Sequence, residues 1–174
     1  AKLSAVQSDK DRAVANGTDG MAVSATIVDA NGHPVEGAQI GWEVTPSTAT
    51  LADNATTSDA SGVARAMLRS TSAGVYTVRA TLDGSSMSLA NLTFTGDTRT
   101  SKVATVTADK TTHIVADSDT ALLTATVVDG NQNPVAGVTV NWSSSDTANV
   151  TLTSTSAITN AQGQVETRFS SRKA

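Results

Sequence analysis

The sequence contains no cysteine, which excludes a disulfide framework, a thiolate nucleophile and a zinc site with cysteine ligands. Aromatic residues make up only 3% of the chain, so the large side chains that usually anchor a ligand or a partner are scarce. No run of about 18 apolar residues occurs, and we therefore expect no membrane-spanning helix. The net charge of -4 comes from interspersed charges of both signs, which argues against nucleic acid or an anionic membrane as a partner.

A repeat is the main positive feature of the sequence. Residues 1–42 align without a gap on residues 101–142. A period of this length is too long for a solenoid repeat and corresponds to one small domain. We therefore predict two tandem domains, residues 1–98 and residues 99–174, and tandem domains of this size usually provide reach rather than chemistry.

Apolar and polar residues alternate along the first copy with a period of two, which predicts half-buried strands. The alternation covers residues 21–29, 38–44, 62–70, 74–82 and 85–94. Its phase shifts between Leu89 and Leu92, which predicts a β-bulge near Ala90 and Asn91. Turn residues separate the runs, and no stretch shows a helical stripe. About seven short strands in about 100 residues predict an all-β fold, with a β-sandwich of the immunoglobulin type in each copy.

The second copy is shorter than the first. Residues 74–94, the last two predicted strands of the first copy, have no counterpart before Ala174. We therefore predict that the second sandwich lacks its last two strands, and that inner-face residues such as Trp142 and Phe169 are partly exposed beside unpaired strand edges. We therefore hypothesise that the chain is a truncated piece of a longer protein, and that another chain fills the place of the missing strands. The lack of a signal peptide at Ala1 favours the same view.

Turn residues and tryptophans mark corresponding places in the two copies. The string Asn31-Gly32-His33-Pro34 breaks the chain between two predicted strands, because Asn and Gly tolerate positive φ and Pro cannot donate to a ladder. Its partner, Asn131-Gln132-Asn133-Pro134, lacks the glycine, and we expect an asparagine to replace it. Gly37 and its partner in the second copy are expected to leave room where the chain re-enters the sheet. Trp42 and Trp142 are expected to fill the centres of the two sandwiches.

Candidate residues for chemistry are few. His33 falls in a turn and His113 at a strand margin of the other copy, and neither has a second histidine or a cysteine nearby to complete a metal set. No Gly-x-Ser-x-Gly elbow supports a Ser-His-Asp triad. Carboxylates recur in both copies, at Asp9, Asp19, Asp29, Asp109, Asp119 and Asp129. They could gather around calcium at a domain junction, but the closely spaced calcium loop is missing and strand-end aspartates commonly cap turns. We expect no enzyme, no cofactor and no metal, and the sequence assigns no ligand-binding residue.

A family resemblance covers essentially the whole chain. Residues 25–42 resemble the signature of bacterial Ig-like domains of group 1, the Big-1 modules of the intimin and invasin family. Residues 125–142 fit the same pattern, and residues 57–64 and 159–165 agree with its later part. The resemblance implies an extracellular stalk segment of an outer-membrane adhesin of the inverse autotransporter kind, anchored by a region outside this fragment.

The function expected from the resemblance is that of a spacer, which projects a distal adhesive tip from the bacterial surface. The connection at residues 97–101 is short, so we expect it to restrict the angle between the domains. A host-cell surface or matrix protein is then a partner of the parent protein. The alternative is a module that itself binds a host receptor or matrix protein, or that self-associates by edge pairing or strand exchange. Short loops and scarce aromatic residues favour the spacer.

Overall fold

The computed structural model describes residues 1–174 and contains two compact units, Ala1–Thr95 and Gly96–Ala174. We call them unit 1 and unit 2. The division lies between residues 95 and 96 rather than between the predicted residues 98 and 99. Strands make up the regular structure, apart from one 3-10 turn at Thr98–Thr100. A helix of the length and hydropathy needed to cross a membrane is not found.

Unit 1 is a sandwich of two four-stranded sheets. Its strands are β1 (Lys2–Ser8), β2 (Arg12–Val14), β3 (Gly20–Val28), β4 (Gly41–Thr45), β5 (Ala49–Ala52), β6 (Val63–Ser70), β7 (Gly74–Leu82) and β8 (Ser85–Thr95). One sheet has the order β1-β3-β6-β5 and the other the order β2-β8-β7-β4. All five strands predicted from the alternation are present, although β4 begins at Gly41 and leaves residues 38–40 outside the strand. The shorter strands β2 and β5, and β1 at the start of the chain, were not predicted individually.

The alternation in β3 shows how the core of unit 1 is built. Its four inward side chains are fully buried: Met21, Val23, Ala25 and Ile27. The residues between them are half-buried, because successive side chains of a strand point to opposite faces. Trp42 packs against both core clusters of the unit, and its Nε1–H donates to the Ala55 carbonyl at 2.9 Å. Trp42 is therefore a core residue, but it is half-buried rather than fully enclosed.

The predicted β-bulge lies between β7 and β8. Tyr76 is opposite Leu92, and Val78 is opposite Leu89. Between these pairs β7 has one residue and β8 has two, and the extra residue bends the strand. Asn91, one of the two, has a φ of 62°. The bulge at this position is confirmed.

Unit 2 repeats one sheet of unit 1 completely and the other only in part. Its strands are β9 (Lys102–Ala108), β10 (Ala121–Val128), β11 (Thr139–Asn141), β12 (Val150–Leu152), β13 (Ser156–Ile158) and β14 (Gln164–Ser171). The order β9-β10-β14-β12 corresponds strand for strand to β1-β3-β6-β5. The other sheet consists of β11 and β13 alone. The prediction that the second sandwich lacks its last two strands is confirmed.

Without counterparts of β7 and β8, other parts of unit 2 also fail to form strands. In unit 1, β2 pairs in parallel with β8, and β4 pairs with β7. Residues 112–114 align with β2 but form no strand, because they have no neighbouring strand with which to exchange backbone hydrogen bonds. His113 lies in this segment with a φ of 59°. The prediction that it occupies a strand margin is therefore wrong.

The turn that leads to β4 differs from expectation in two details. Gly32 has a φ of 88°, in accordance with the prediction, but in unit 2 the left-handed residue of the turn is Gln132, with a φ of 68°, and not an asparagine. Gly37 has a φ of 74°, and a Cβ there would meet nothing within 4 Å. Gly37 is therefore required for its left-handed backbone, and the expected need for room at this position is wrong.

Candidate functional site

The residues considered for chemistry do not converge on one place. His33 Nδ1 lies 3.2 Å from Asp29 Oδ2 in an exposed turn. His113 Nδ1 lies 3.1 Å from the hydroxyl of Thr112 in the other unit. No three His, Asp or Glu side chains approach each other closely enough to hold a metal ion. Both histidines are thus exposed loop residues, each with a local hydrogen bond.

Four of the recurring aspartates hold equivalent turns in the two units: Asp9, Asp19, Asp109 and Asp119. In unit 1 the Lys10 ammonium donates to Asp19 at 2.8 Å, and the Ala22 N–H donates to Asp9 at 2.8 Å. Unit 2 repeats both contacts at 2.7 Å. The lysine hydrogen bond is the largest cause of the lowered pKa of Asp19 and of Asp119. These carboxylates recur because they cap turns of the fold.

The remaining pair, Asp29 and Asp129, differ in environment. Asp129 is fully buried, and four N–H groups converge on its carboxylate. Oδ1 accepts from the backbone of Asn131 and Asn133 at 2.8 and 2.9 Å. Oδ2 accepts from the Asn133 side-chain amide at 2.9 Å and from the Asp97 N–H at 3.0 Å. Burial raises the pKa of Asp129, but these hydrogen bonds outweigh burial and hold the pKa below its ordinary value. The turn therefore contains a buried carboxylate that stays ionised at neutral pH.

Asp97 belongs to what we call the junction segment, residues 96–101. The 3-10 turn at Thr98–Thr100 follows Asp97, whose carboxylate accepts from the Arg99 N–H at 3.0 Å. Asp97 itself is only 6% exposed. The residues expected to form a linker are therefore folded as part of unit 2, which explains why the division of the chain lies before Gly96.

The junction segment binds to the aspartate turn of unit 2, which we define as residues 129–135. The Gly130 N–H donates to the Thr100 hydroxyl at 3.1 Å. A Cβ on Gly96 would lie 2.6 Å from the carbonyl oxygen of Pro134. Such a distance is too short for any side chain, so a glycine is required where the segment passes Pro134.

Unit 1 has the same aspartate turn at residues 29–35. Asp29 Oδ1 accepts from the backbone of Asn31 and His33 at 2.8 and 2.9 Å. The His33 backbone hydrogen bond is the largest cause of the lowered pKa of Asp29. The Asp29 side chain is 41% exposed, whereas Asp129 is buried. The backbone hydrogen bonds to Oδ1 are thus the same in both units, whereas the burial of the aspartate and the side chain that meets Oδ2 differ.

A second surface of interest is the inner face of the four-stranded sheet of unit 2. We call it the open face and define it by Val103, Val106, Leu123 and Phe169, together with Trp142, which follows β11 of the two-stranded sheet and packs against the core of unit 2. Val103 and Val106 are 52% and 58% exposed, and Phe169 is half-buried, whereas Leu68, its counterpart in unit 1, is fully buried. Trp142 is also half-buried, and its Nε1–H is enclosed without a hydrogen-bond partner. The predicted partial exposure of Trp142 and Phe169 is confirmed.

A cleft of about 300 Å³ adjoins the open face and is lined in part by Val103, Val127, Val138 and Val140. In unit 1 the residues aligned with these four pack in one cluster with Ala80 and Leu82 of β7. The cleft therefore marks the space that side chains of β7 fill in the complete sandwich.

The contacts of Gly96, Asp97 and Thr100 could not be found from the sequence. The repeat gives no signal for them, because residues 96–100 align with positions before Ala1. Asp129 was recognised only as one of six recurring carboxylates. The signal that distinguishes it is the donor at Asp97, which is remote in the sequence.

The profile of the bacterial Ig-like domain (group 1) matches residues 3–95 and 103–174. A stretch of 61 residues, 35% of the chain, is 44% identical to the inverse autotransporter adhesin YeeJ of Escherichia coli strain K12. This stretch spans only 3% of the length of that adhesin.

Solved structures show the same architecture. The D0-D1 domain of intimin is 25% identical, with a TM-score of 0.51, and the match covers 98% of this chain and 86% of the intimin chain. InvD of Yersinia pseudotuberculosis is 20% identical, with a TM-score of 0.68 and coverage of 96% and 48% of the two chains. The second likeness shows the fold alone. The chain therefore belongs to the family of bacterial Ig-like domains of group 1, of the kind found in the intimin and invasin adhesins.

Proposed function

We propose that the two units are spacer modules of a bacterial surface adhesin, exposed outside the outer membrane, and that they carry a distal adhesive tip away from the cell. The similarity to intimin and to the adhesin YeeJ supports a place in such a protein. The membrane anchor and the tip are assigned to regions outside residues 1–174. The units themselves then need neither a catalytic centre nor a cofactor.

The observation that carries the proposal is the bound junction segment. Strand β8 ends at Thr95, and the next residue, Gly96, already belongs to unit 2. The Asp97 N–H and the Thr100 hydroxyl are both hydrogen-bonded to the aspartate turn. The residues that connect the units are therefore anchored to unit 2 and do not form a long linker. This suits a spacer, because a long flexible linker would let the units reorient and would shorten their reach.

Residual dipolar couplings of the whole chain test this proposal. We expect one alignment tensor to fit the amides of both units. Asp129→Asn weakens the anchoring of the junction segment and should separate the two tensors, while Asp29→Asn in unit 1 serves as the matched control. Independent tensors for the two units of the unmodified chain would contradict the spacer proposal.

A second candidate function is binding by the units themselves, either to a host receptor or matrix protein or to another copy of the chain. The open face favours pairing between copies, because Val103 and Val106 are exposed on β9, an edge strand. Sedimentation velocity over a range of concentrations distinguishes the two functions: a spacer stays monomeric, whereas pairing copies dimerise as concentration rises. Saturable binding of host cells to the immobilised chain, above that of an unrelated Ig-like pair, would instead assign receptor binding to these units.

A further inference from the structure

The aspartate turn occurs twice in the chain with equal internal hydrogen bonds but unequal burial. In both units Oδ1 of the aspartate accepts from the backbone N–H groups two and four residues later. Four residues of unit 2 are buried at this turn or directly before it, whereas the aligned residues of unit 1 are half-buried or exposed: Val128, Asp129, Asn133 and Val135 against Val28, Asp29, His33 and Val35. The turn of unit 1 thus presents a surface that is covered in unit 2.

The junction segment recognises the turn of unit 2 through three features. The backbone N–H of Asp97 donates to the buried carboxylate at 3.0 Å. The hydroxyl of Thr100 accepts from the turn at 3.1 Å. Gly96 passes the turn where a Cβ would lie 2.6 Å from a carbonyl oxygen. Together with the Asp97 carboxylate, which accepts from the Arg99 N–H at 3.0 Å, these features describe a peptide of the sequence Gly-Asp-x-x-Thr.

The turn of unit 1 offers the groups that such a peptide needs. Asp29 Oδ2 meets the exposed His33 ring at 3.2 Å, and a carboxylate oxygen can accept from a second donor. Ala30 stands in place of Gly130. A Cβ on Gly130 would lie 3.6 Å from the Thr100 hydroxyl, an ordinary contact, so the side chain of Ala30 does not obstruct the peptide. Pro34 repeats the proline that Gly96 passes in unit 2.

We propose that residues 29–35 of unit 1 form a binding site for a Gly-Asp-x-x-Thr peptide that immediately precedes Ala1, as the end of another Ig-like unit of this kind. The spacing follows from the repeat, since Ser101 aligns with Ala1 and residues 96–100 align with the positions before it. The Asp29 carboxylate accepts the N–H of the aspartate in the peptide. The Ala30 N–H donates to the threonine. Each aspartate turn then binds the peptide at the C-terminal end of the unit that precedes it.

The test adds Gly-Asp-Thr-Arg-Thr, the sequence of residues 96–100, in front of Ala1 of the full chain. The matched control adds Ala-Asp-Thr-Arg-Thr, because a Cβ at the first position would collide with the carbonyl of Pro34. Hydrogen exchange of the added aspartate amide is measured by NMR, and the Asp97 amide of the same chain reports the bound state. We expect roughly tenfold or greater protection in the glycine version relative to the alanine version, as a hydrogen bond to a charged acceptor provides.

A third chain combines the glycine extension with Asp29→Asn, which replaces one acceptor oxygen by a donor group. This chain should lose most of the protection, while its β3 amides show that unit 1 remains folded. The amide shifts of residues 28–35 should move only in the chain with the glycine extension and an intact Asp29. Equal exchange of the added aspartate amide in the glycine and alanine versions, whether fast or slow, would overturn the proposal.

Discussion

Asp129→Asn is the most direct test of the buried carboxylate, because it changes the side chain without changing its size. In the native turn, four N–H groups converge on two carboxylate oxygens. Asparagine presents one oxygen and one NH₂ group. It can therefore satisfy one pair of donors, and its NH₂ group must face the other pair. The Asp97 N–H competes with the N–H groups of the turn itself for the remaining oxygen.

The magnitude follows from the contacts at Oδ2, where Asp97 and Asn133 donate at 3.0 and 2.9 Å. A hydrogen bond to a charged group contributes about 1.5–3 kcal/mol, and an unpaired buried donor costs a similar amount. We expect Asp129→Asn to lower the free energy of unfolding of unit 2 by about 3 kcal/mol. The matched Asp29→Asn in unit 1 should have a much smaller effect, because the Asp29 side chain is 41% exposed and its Oδ2 meets only the exposed ring of His33.

The assay is urea denaturation followed by two-dimensional NMR, in which the amide intensities of each unit give separate unfolding curves. Exchange of the Asp97 amide in native buffer shows whether the junction segment has left the turn. Equal losses of stability in the two variants would refute the reasoning. So would an Asp97 amide that stays fully protected in Asp129→Asn.

Three further predictions concern the cores and the effect of pH. Leu68→Ala should lower the free energy of unfolding of unit 1 by about 3 kcal/mol, because Leu68 is fully buried; Phe169→Ala at the aligned, half-buried position should cost unit 2 less in the same urea titration. A copy of residues 74–95 added after Ala174 should raise the melting temperature of unit 2 and reduce the binding of a hydrophobic dye, and an unchanged dye signal would contradict the assignment of the open face. The pKa of Asp129 is lowered from 3.8, so its stabilising contribution is present above that value and is lost as pH falls through the lower pKa of the folded state. Acid unfolding of unit 2 should therefore have a smaller pH dependence in Asp129→Asn than in the unmodified chain.

The strands of unit 1 that cross the core were predictable because apolar and polar residues alternate along the sequence of each one. Strand β7 has the predicted limits, Gly74 and Leu82. The phase shift between Leu89 and Leu92 was sufficient to place the bulge, since an extra residue moves every later side chain to the other face. The absence of a matching stretch in the second copy was in turn sufficient to predict the open face of unit 2.

Features that depend on distant pairing were not predictable. Strand β2 has three residues and forms by pairing with β8 at the other end of unit 1, so its local sequence carries no period. The burial of Asp129 depends on a donor in the junction segment, and a carboxylate after a strand reads as an ordinary turn cap. Gln132 takes a positive φ that asparagine or glycine adopts more readily, because the turn around it determines the backbone there.

Strand β2, near the N-terminus of unit 1, pairs with the final residues of β8 at the C-terminus of the unit. A unit of this fold that is synthesised from its N-terminus therefore remains incomplete until residues 74–95 have followed, which takes roughly one to four seconds at the usual rate of synthesis. During this interval its inner side chains face solvent, as Val103 and Val106 do in unit 2. Similarity between neighbouring units is then a hazard, because an incomplete unit can accept the last strands of its neighbour.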